Sequence, residues 1–295
     1  VGDRDRIISF GDLIDDVVAI PLGAIRDDTD TPSSIRSSPG GSAANTAAWL
    51  GSLGAAVDFV GASGASDLAR HEAVFAAAGV TPHLSPTALP TGTIVVIVEG
   101  DRRHMLTERG ANAALDPAAV TDELLAGATV LHLTGHTLLN HAGAEGIAAL
   151  IARARAAGVT VSVAPGSAGF IADYGVEPFL AGVAGADILF PNLDEGRVLT
   201  GLDEAGAIAE RLAESFGTVV LTAGSAGALV AHGGSVTSVP AVVADAVIDP
   251  TGAGDAFCAG YLAHWVASGD PVAAAREGAL VASRAVGLIG GRPSV

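Results

Sequence analysis

The chain has 295 residues and a formal net charge of −17, which argues against nucleic acids and anionic membranes as partners. All 15 basic residues are arginine, so P-loop NTPases, protein kinases, Schiff-base enzymes and pyridoxal-phosphate enzymes are excluded, since each needs a lysine amine. Hydrophobic residues make up 49% and aromatics only 4%, so the core must be aliphatic, and the single cysteine, Cys258, permits no internal disulfide.

The lone cysteine fits a reducing cytoplasm, and no signal peptide is expected. Residues 1–6 are charged, 7–10 are too short for an apolar leader, and apolar runs elsewhere break before the ~20 residues of a membrane span.

In chain order, 12–39 opens as an alternating strand and trails into a segment rich in Asp, Ser and Pro. A helix is predicted over 43–53, a strand over 57–60 and a helix over 66–78. Strands at 91–98 and 103–107, joined by 99–102, read as a hairpin. Strands at 129–133 and 159–163 flank a helix at 142–157. A strand at 188–190, a helix at 204–216 and a strand at 219–222 follow. The Gly-Gly turn in 232–235 joins 228–231 to 236–239, adding an antiparallel edge. The apolar run 256–265 predicts a helix.

Short Val/Ile/Leu strands alternating with helices specify a doubly wound, mainly parallel α/β sheet with helices on both faces. The core covers 1–11, 40–90 and 113–295. Residues 12–39 and 91–112 form a small inserted antiparallel sheet, positioned as a lid over a nucleotide-sized crevice or as a plain surface excursion.

The stretch DPTGAGDAFCAGYL, 249–262, carries the most chemistry. Gly252, Ala253 and Gly254 leave backbone N–H groups uncovered at a helix N-terminus, which suits a phosphate. Asp255 would be a poor neighbour for that anion unless it handles a proton. A phosphoryl group held by the N–H donors and a hydroxyl deprotonated by Asp255 together make a phosphotransfer site. Simple helix capping by Asp255 is the competing reading.

Three further segments bear on that chemistry. In PGGSAANTAAWLGSLG, 39–54, Gly40 and Gly41 give close backbone access and Asn45 offers a donor and an acceptor. GGSAA also approaches the GxSxG nucleophile elbow, with Ala44 for the last glycine; a hydrolase would use Ser42 with His132 or His136. In PNLDE, 191–195, Asn192 and Glu195 either cap a helix or hold a hydrated Mg²⁺ and phosphate oxygens. LTAGSAG, 221–227, is a Gly-rich loop at a strand's C-terminal end. GASGAS at 61–66 lacks GxGxxG spacing, which disfavours a Rossmann dehydrogenase. The eight histidines show no metal-binding spacing. Arg102, Arg103 and Arg109 meet an anionic substrate or form a solvated face.

In this order the segments resemble the ribokinase (PfkB-type) family of carbohydrate kinases. GG-x-A-A-N-x-A and DPTGAGDAFCAGYL look like its two signature regions, PNLDE like its N-x-x-E motif and LTAGSAG like its nucleotide loop. RGANAAL, 109–115, and GGRPSV, 290–295, also look familial. The resemblance implies a ribokinase-like core with a β-lid and transfer of the ATP γ-phosphoryl group to a sugar hydroxyl. By it Asp255 is the base, Gly252, Ala253 and Gly254 are the anion hole, and Asp12, Asp16, Gly41 and Asn45 contact the sugar. Asn192 and Glu195 organise Mg²⁺, with Glu195 acting through water; Thr222, Gly224 and Gly227 line the nucleotide site. Asp249 and Thr251 match the region where some members bind a monovalent cation such as K⁺.

Two positions depart from the family. Ala164 stands where an aspartate is common, and Ile14 where ribokinase-like members carry a sugar-binding Asn. The latter favours a broader sugar kinase over a strict ribose kinase. Neither lid segment contains Phe, Tyr or Trp for stacking a base, and Asp12, Asp15 and Asp16 suit a polyhydroxylated acceptor, so a sugar is favoured over a nucleoside. A nucleoside kinase of the same family and a non-catalytic sugar or nucleotide sensor are the alternatives. A homodimer paired through the lid strands is a further expectation.

Overall fold

The computed structural model describes residues 6–99 and 102–293. Among the described residues thirteen strands run β1 Arg6–Phe10, β2 Ile14–Pro21, β3 Ser33–Gly40, β4 Ala56–Gly64, β5 Thr81–Thr87, β6 Gly92–Glu99, β7 Arg102–Glu108, β8 Ala128–Thr134, β9 Thr160–Ala164, β10 Ile188–Leu189, β11 Thr218–Thr222, β12 Ala228–His232 and β13 Ser235–Val239. The helices are α1 Ser42–Ser52, α2 Leu68–Ala77, α3 Asp122–Ala126, α4 Gly143–Ala156, α5 Ala168–Tyr174, α6 Val176–Gly182, α7 Leu193–Thr200, α8 Ala205–Ala213, α9 Ala253–Ser268 and α10 Pro271–Ala285.

Nine strands form one sheet in the order β13-β12-β11-β10-β9-β8-β1-β4-β5. Pairing is parallel from β5 across to β11, and β12 and β13 add the expected antiparallel edge. Successive side chains of a strand leave opposite faces, so β1 sends Ile7 into one core and Ile8 and Phe10 into the other. Helices α1, α9 and α10 cover the first face; α4, α7 and α8 cover the second. Helix α9 is apolar all round, with seven consecutive buried residues from Ala256 to Leu262, because it lies between α1 and α10 rather than at the surface. Among the described residues no helix is long and apolar enough to cross a membrane.

A second sheet, in the order β3-β2-β6-β7, is separate from the first; it is mixed rather than antiparallel as expected, because β2 and β6, which begin two separate chain segments, pair parallel. Strand β3 was not foreseen, because SSIRSSPG carries no apolar alternation. It forms through backbone pairing to β2, in register from Ile14↔Gly40 to Pro21↔Ser33, and its edge position tolerates Pro39. The β6–β7 hairpin forms as expected, while the predicted turn residues Gly100 and Asp101 and the side chains of Arg102 and Arg103 lie outside the described residues. On β2 and β6, alternate residues Asp16, Val18, Ile20, Ile94, Val96 and Val98 face a cavity above the C-terminal ends of the large sheet.

Candidate active site

Parallel strands deliver loops at their C-terminal ends, and here those loops converge. Strand β1 leads into Gly11–Asp12, β8 into 134–136, β9 into 164–166, β10 into 190–192 and β11 into 222–227. Together with the small sheet and the start of α9 they enclose a cavity of about 820 Å³. Asp12, Asp16, Gly41, Ser42, Asn192, Glu195, Asp249, Thr251, Gly252, Gly254 and Asp255 all line it. A second cavity of about 550 Å³ adjoins it and shares Thr222, Pro250, Gly254 and Phe257. Its other walls include Gly224, Ser225, Gly227, Ala253 and the aliphatic 241–247 segment.

At the start of α9, Gly252 takes φ +76, and a side chain there would strike the backbone of Gly291. This close approach seats the C-terminal segment on the helix start. Ala253 corrects one part of the expected anion hole, since its N–H donates to the Pro250 carbonyl at 3.2 Å. Among the described residues no protein acceptor takes the N–H groups of Gly254 and Asp255, so these two are the donors presented at the helix terminus.

Asp255 sits in the first turn of α9 and accepts from Ser42 Oγ at 2.6 Å and from Asn45 Nδ2 at 3.0 Å. Burial pushes its pKa up to about 7, helped by the nearby Asp12 charge; the Ser42 and Asn45 hydrogen bonds and Arg292 pull the other way. A carboxylate poised there exchanges a proton near neutral pH. Ser42 therefore acts as a donor to a carboxylate. The two histidines considered as partners for a Ser42 nucleophile are placed otherwise: His132 is buried against Ser162 Oγ at 2.9 Å, and His136 packs on Phe170 at the cavity wall.

Asp12 receives Ser42 N–H at 2.9 Å and Thr134 Oγ1 at 3.0 Å, which holds its carboxylate at the N-terminus of α1. Gly41 makes this possible: with φ +92, any side chain would run into the Asp12 carbonyl. Asp16 faces the same cavity, and burial raises its pKa to about 6. Asp15 differs from the expectation. It turns to the other face of β2 and pairs with Arg70 of α2 through two hydrogen bonds of 2.9 and 2.6 Å. Asn45 is buried, does not line the cavity, and has both ends of its amide committed to Asp255 and Arg292.

Asn192 and Glu195 form a reciprocal capping box on α7, with Glu195 N–H to Asn192 Oδ1 at 2.9 Å and Asn192 N–H to Glu195 Oε2 at 2.8 Å. Capping does not exhaust Glu195, which is buried at the cavity wall with its pKa raised by burial to about 7. A desolvated carboxyl of this kind gains from a cation beside it, so it fits Mg²⁺. Among the described residues no group of three or more His, Cys, Asp or Glu side chains could hold a metal, so the ion's remaining ligands would be phosphate and water. Asp249 accepts N–H from Thr251 at 3.0 Å and from Gly290 at 3.1 Å, so its carboxylate is tied to both the start of α9 and the C-terminal segment.

Two features of the site carry no role in the sequence reading, and a third, Arg109, stands there as a contact to an anionic substrate or part of a solvated face. Arg292 reaches Asn45 and Gly40, Arg109 lies half-buried against the His136 carbonyl, and an aliphatic face on the small sheet lines the larger cavity. Of the two unassigned features, Arg292 lies in GGRPSV, which resembles the family without a function attached to it.

Residues 4–295 match the model of the pfkB family carbohydrate kinase. The chain is 34% identical over 251 residues to an ATP-dependent ribose-1-phosphate kinase from Halopiger xanaduensis, covering 82% of this chain and 79% of that protein. It is 31% identical over 273 residues to a 1-phosphofructokinase from Rhodobacter capsulatus, covering 88% and 83%. Among solved structures, adenosine kinase from Sinorhizobium meliloti superposes with a TM-score of 0.88 at 26% identity, covering 100% of this chain and 97% of that one. The two cavities, the helix terminus and these similarities agree, and the chain belongs to the pfkB family of carbohydrate kinases, as an ATP-dependent carbohydrate or nucleoside kinase.

Proposed function

We propose that the protein is a sugar kinase that moves the γ-phosphoryl group of ATP to a hydroxyl of a small carbohydrate, with Asp255 as general base. The observation that carries this reading is the position of Asp255: its carboxylate faces the larger cavity beside the unpaired N–H groups of the α9 terminus. The acceptor lies between Asp12, Asp16 and the small sheet, which acts as a lid. Its hydroxyl gives its proton to Asp255 as the oxygen bonds to the γ-phosphorus, and the bond to ADP breaks. Backbone N–H groups of Gly254 and Asp255 hold the transferring oxygens, while Thr222, Gly224 and Gly227 line the nucleotide's cavity. Asn192 and Glu195 would hold Mg²⁺ through water, and Asp249 and Thr251 a monovalent cation; when bound, these ions supply positive charge that offsets the phosphates.

One observation favours a second reading, a nucleoside acceptor. The face of the small sheet over the acceptor is lined by Val18, Ile20, Ile94, Val96, Val98 and Met105, an apolar ceiling suited to a base. The test is ADP release from ATP and Mg²⁺ across pentoses, hexoses, sugar phosphates and nucleosides, with Asp255→Asn alongside. Turnover with a sugar or sugar phosphate, lost in the variant, is expected. Turnover with nucleosides alone would select the second reading, and full turnover by Asp255→Asn would remove the assigned base.

A further inference from the structure

Among the described residues the C-terminal segment is held by four hydrogen bonds, three to residues 40–49 and one to Asp249 ahead of α9. Gly290 N–H donates to Asp249 Oδ2 at 3.1 Å, and Trp49 Nε1 donates to the Gly291 carbonyl at 2.9 Å. Arg292 Nη2 donates to the Gly40 carbonyl at 2.8 Å, and Arg292 Nε donates to Asn45 Oδ1 at 3.1 Å. Asn45 and Trp49 lie one turn apart on α1, so a single face of that helix grips 291–292. A side chain at position 291 would strike the Asn45 amide, so the segment sits directly on that group.

From this geometry we infer that Arg292 is a positioning residue for the phosphotransfer reaction: it orients the side-chain amide of Asn45 so that its NH₂ group, and not its carbonyl, faces Asp255. The argument is one of donor inventory. A guanidinium can only donate hydrogen bonds, so the Asn45 atom it meets must be the oxygen. The nitrogen then faces Asp255 Oδ2 at 3.0 Å, where it donates to the carboxylate. Without the guanidinium nothing in this arrangement distinguishes the two amide orientations except Asp255 itself, and the flipped amide would set a carbonyl oxygen against the base. The guanidinium is fixed in turn by the Phe75 ring, 5.2 Å away, which stacks on Phe59 with 4.5 Å between centroids. Burial lowers the Arg292 pKa to about 10, so it stays cationic at neutral pH.

The inference rests on Asp255 being the base, and a double-mutant cycle separates the two. Arg292→Ala, Asn45→Ala, the double variant and Asp255→Asn are assayed for kcat and for KM of ATP, with thermal melts and added guanidinium chloride. Arg292→Ala is expected to lower kcat by ~10–100-fold with KM for ATP within about twofold, and guanidinium to restore part of it. In the Asn45→Ala background the same change should cost less than about threefold, because the group it acts through is gone. Wild-type kcat in folded Arg292→Ala, or its full loss repeated in the Asn45→Ala background, overturns the inference. If Arg292→Ala does not fold, Arg292→Lys replaces it in the same cycle: a lysine keeps the charge but cannot reproduce both directed bonds, and wild-type kcat in that variant overturns the inference equally. Full turnover in Asp255→Asn instead removes the base reading and this one with it.

Discussion

Ser42 and Asp255 lie 213 positions apart, and the Ser42 hydroxyl donates to Asp255 Oδ1 at 2.6 Å. The contact joins the first turn of α1 to the first turn of α9, so the base is set by two helix termini. Hydrogen bonding to the charged form holds the carboxyl pKa below where burial alone would put it. Ser42→Ala should therefore move the acid limb of the pH–kcat profile up by about one pH unit. At pH 9 the variant should work within about threefold of wild type, since the base is then ionised in both. Superimposable profiles would show that the hydroxyl does not tune the base.

The raised pKa values of Asp255 and Glu195 also carry a stability signature. Both carboxyls are near 7 in the folded protein, against about 4 when unfolded. The folded state binds the extra protons, so these groups favour folding below about pH 4, and that contribution is lost as pH rises through about 7. Asp255→Asn removes one of them. Urea midpoints should show the variant more stable than wild type at pH 8, by about 1 kcal/mol after allowing for cavity water, with little difference at pH 4. A gap that does not change with pH would contradict this.

Gly252 and Gly254 separate fold from function. A methyl group at Gly252 meets the Gly291 backbone and the position has φ +76, so Gly252→Ala should cost about 2 kcal/mol or more. Nothing lies within 4 Å of a methyl group at Gly254, which lines both cavities. Gly254→Ala should leave stability within about 0.5 kcal/mol yet lower kcat/KM for ATP at least about tenfold, by crowding the phosphate donors. Paired urea melts and initial rates measure both, and normal kinetics in Gly254→Ala would move the phosphate elsewhere.

Glu195→Gln distinguishes a cap from a metal-organising group. Glutamine retains the reciprocal bond to Asn192, so the melting temperature should hold or rise. The Mg²⁺ concentration for half-maximal rate should rise roughly tenfold as the charge is lost. An unchanged Mg²⁺ dependence would leave capping as the whole role of Glu195.

Much of the large sheet was legible because its strands and helices differ in hydrophobic period. The runs 129–133 and 219–222 are short, aliphatic and ended by turns, and the apolar 256–265 run had the length of a helix. Strands β3 and β5 were not legible. SSIRSSPG and TPHLSPT carry polar residues and prolines that argue against a strand, and both sit at sheet edges where half the backbone groups need no partner. Their strand character comes from a neighbour's backbone, which local composition does not record.

The same division runs through the site. By itself the sequence determined the family, the absence of lysine chemistry, and a glycine-rich helix start followed by an acid, since each is a property of contiguous residues. Tertiary structure alone decided that Asp15 turns away to Arg70, that Ala253 spends its N–H on Pro250, and that Asn45 and Ser42 serve Asp255. Arg292 reaches Asn45 across 247 positions. Hydrogen bonds of that kind depend on which strand ends and helix termini meet in space, and sequence spacing carries no trace of that meeting.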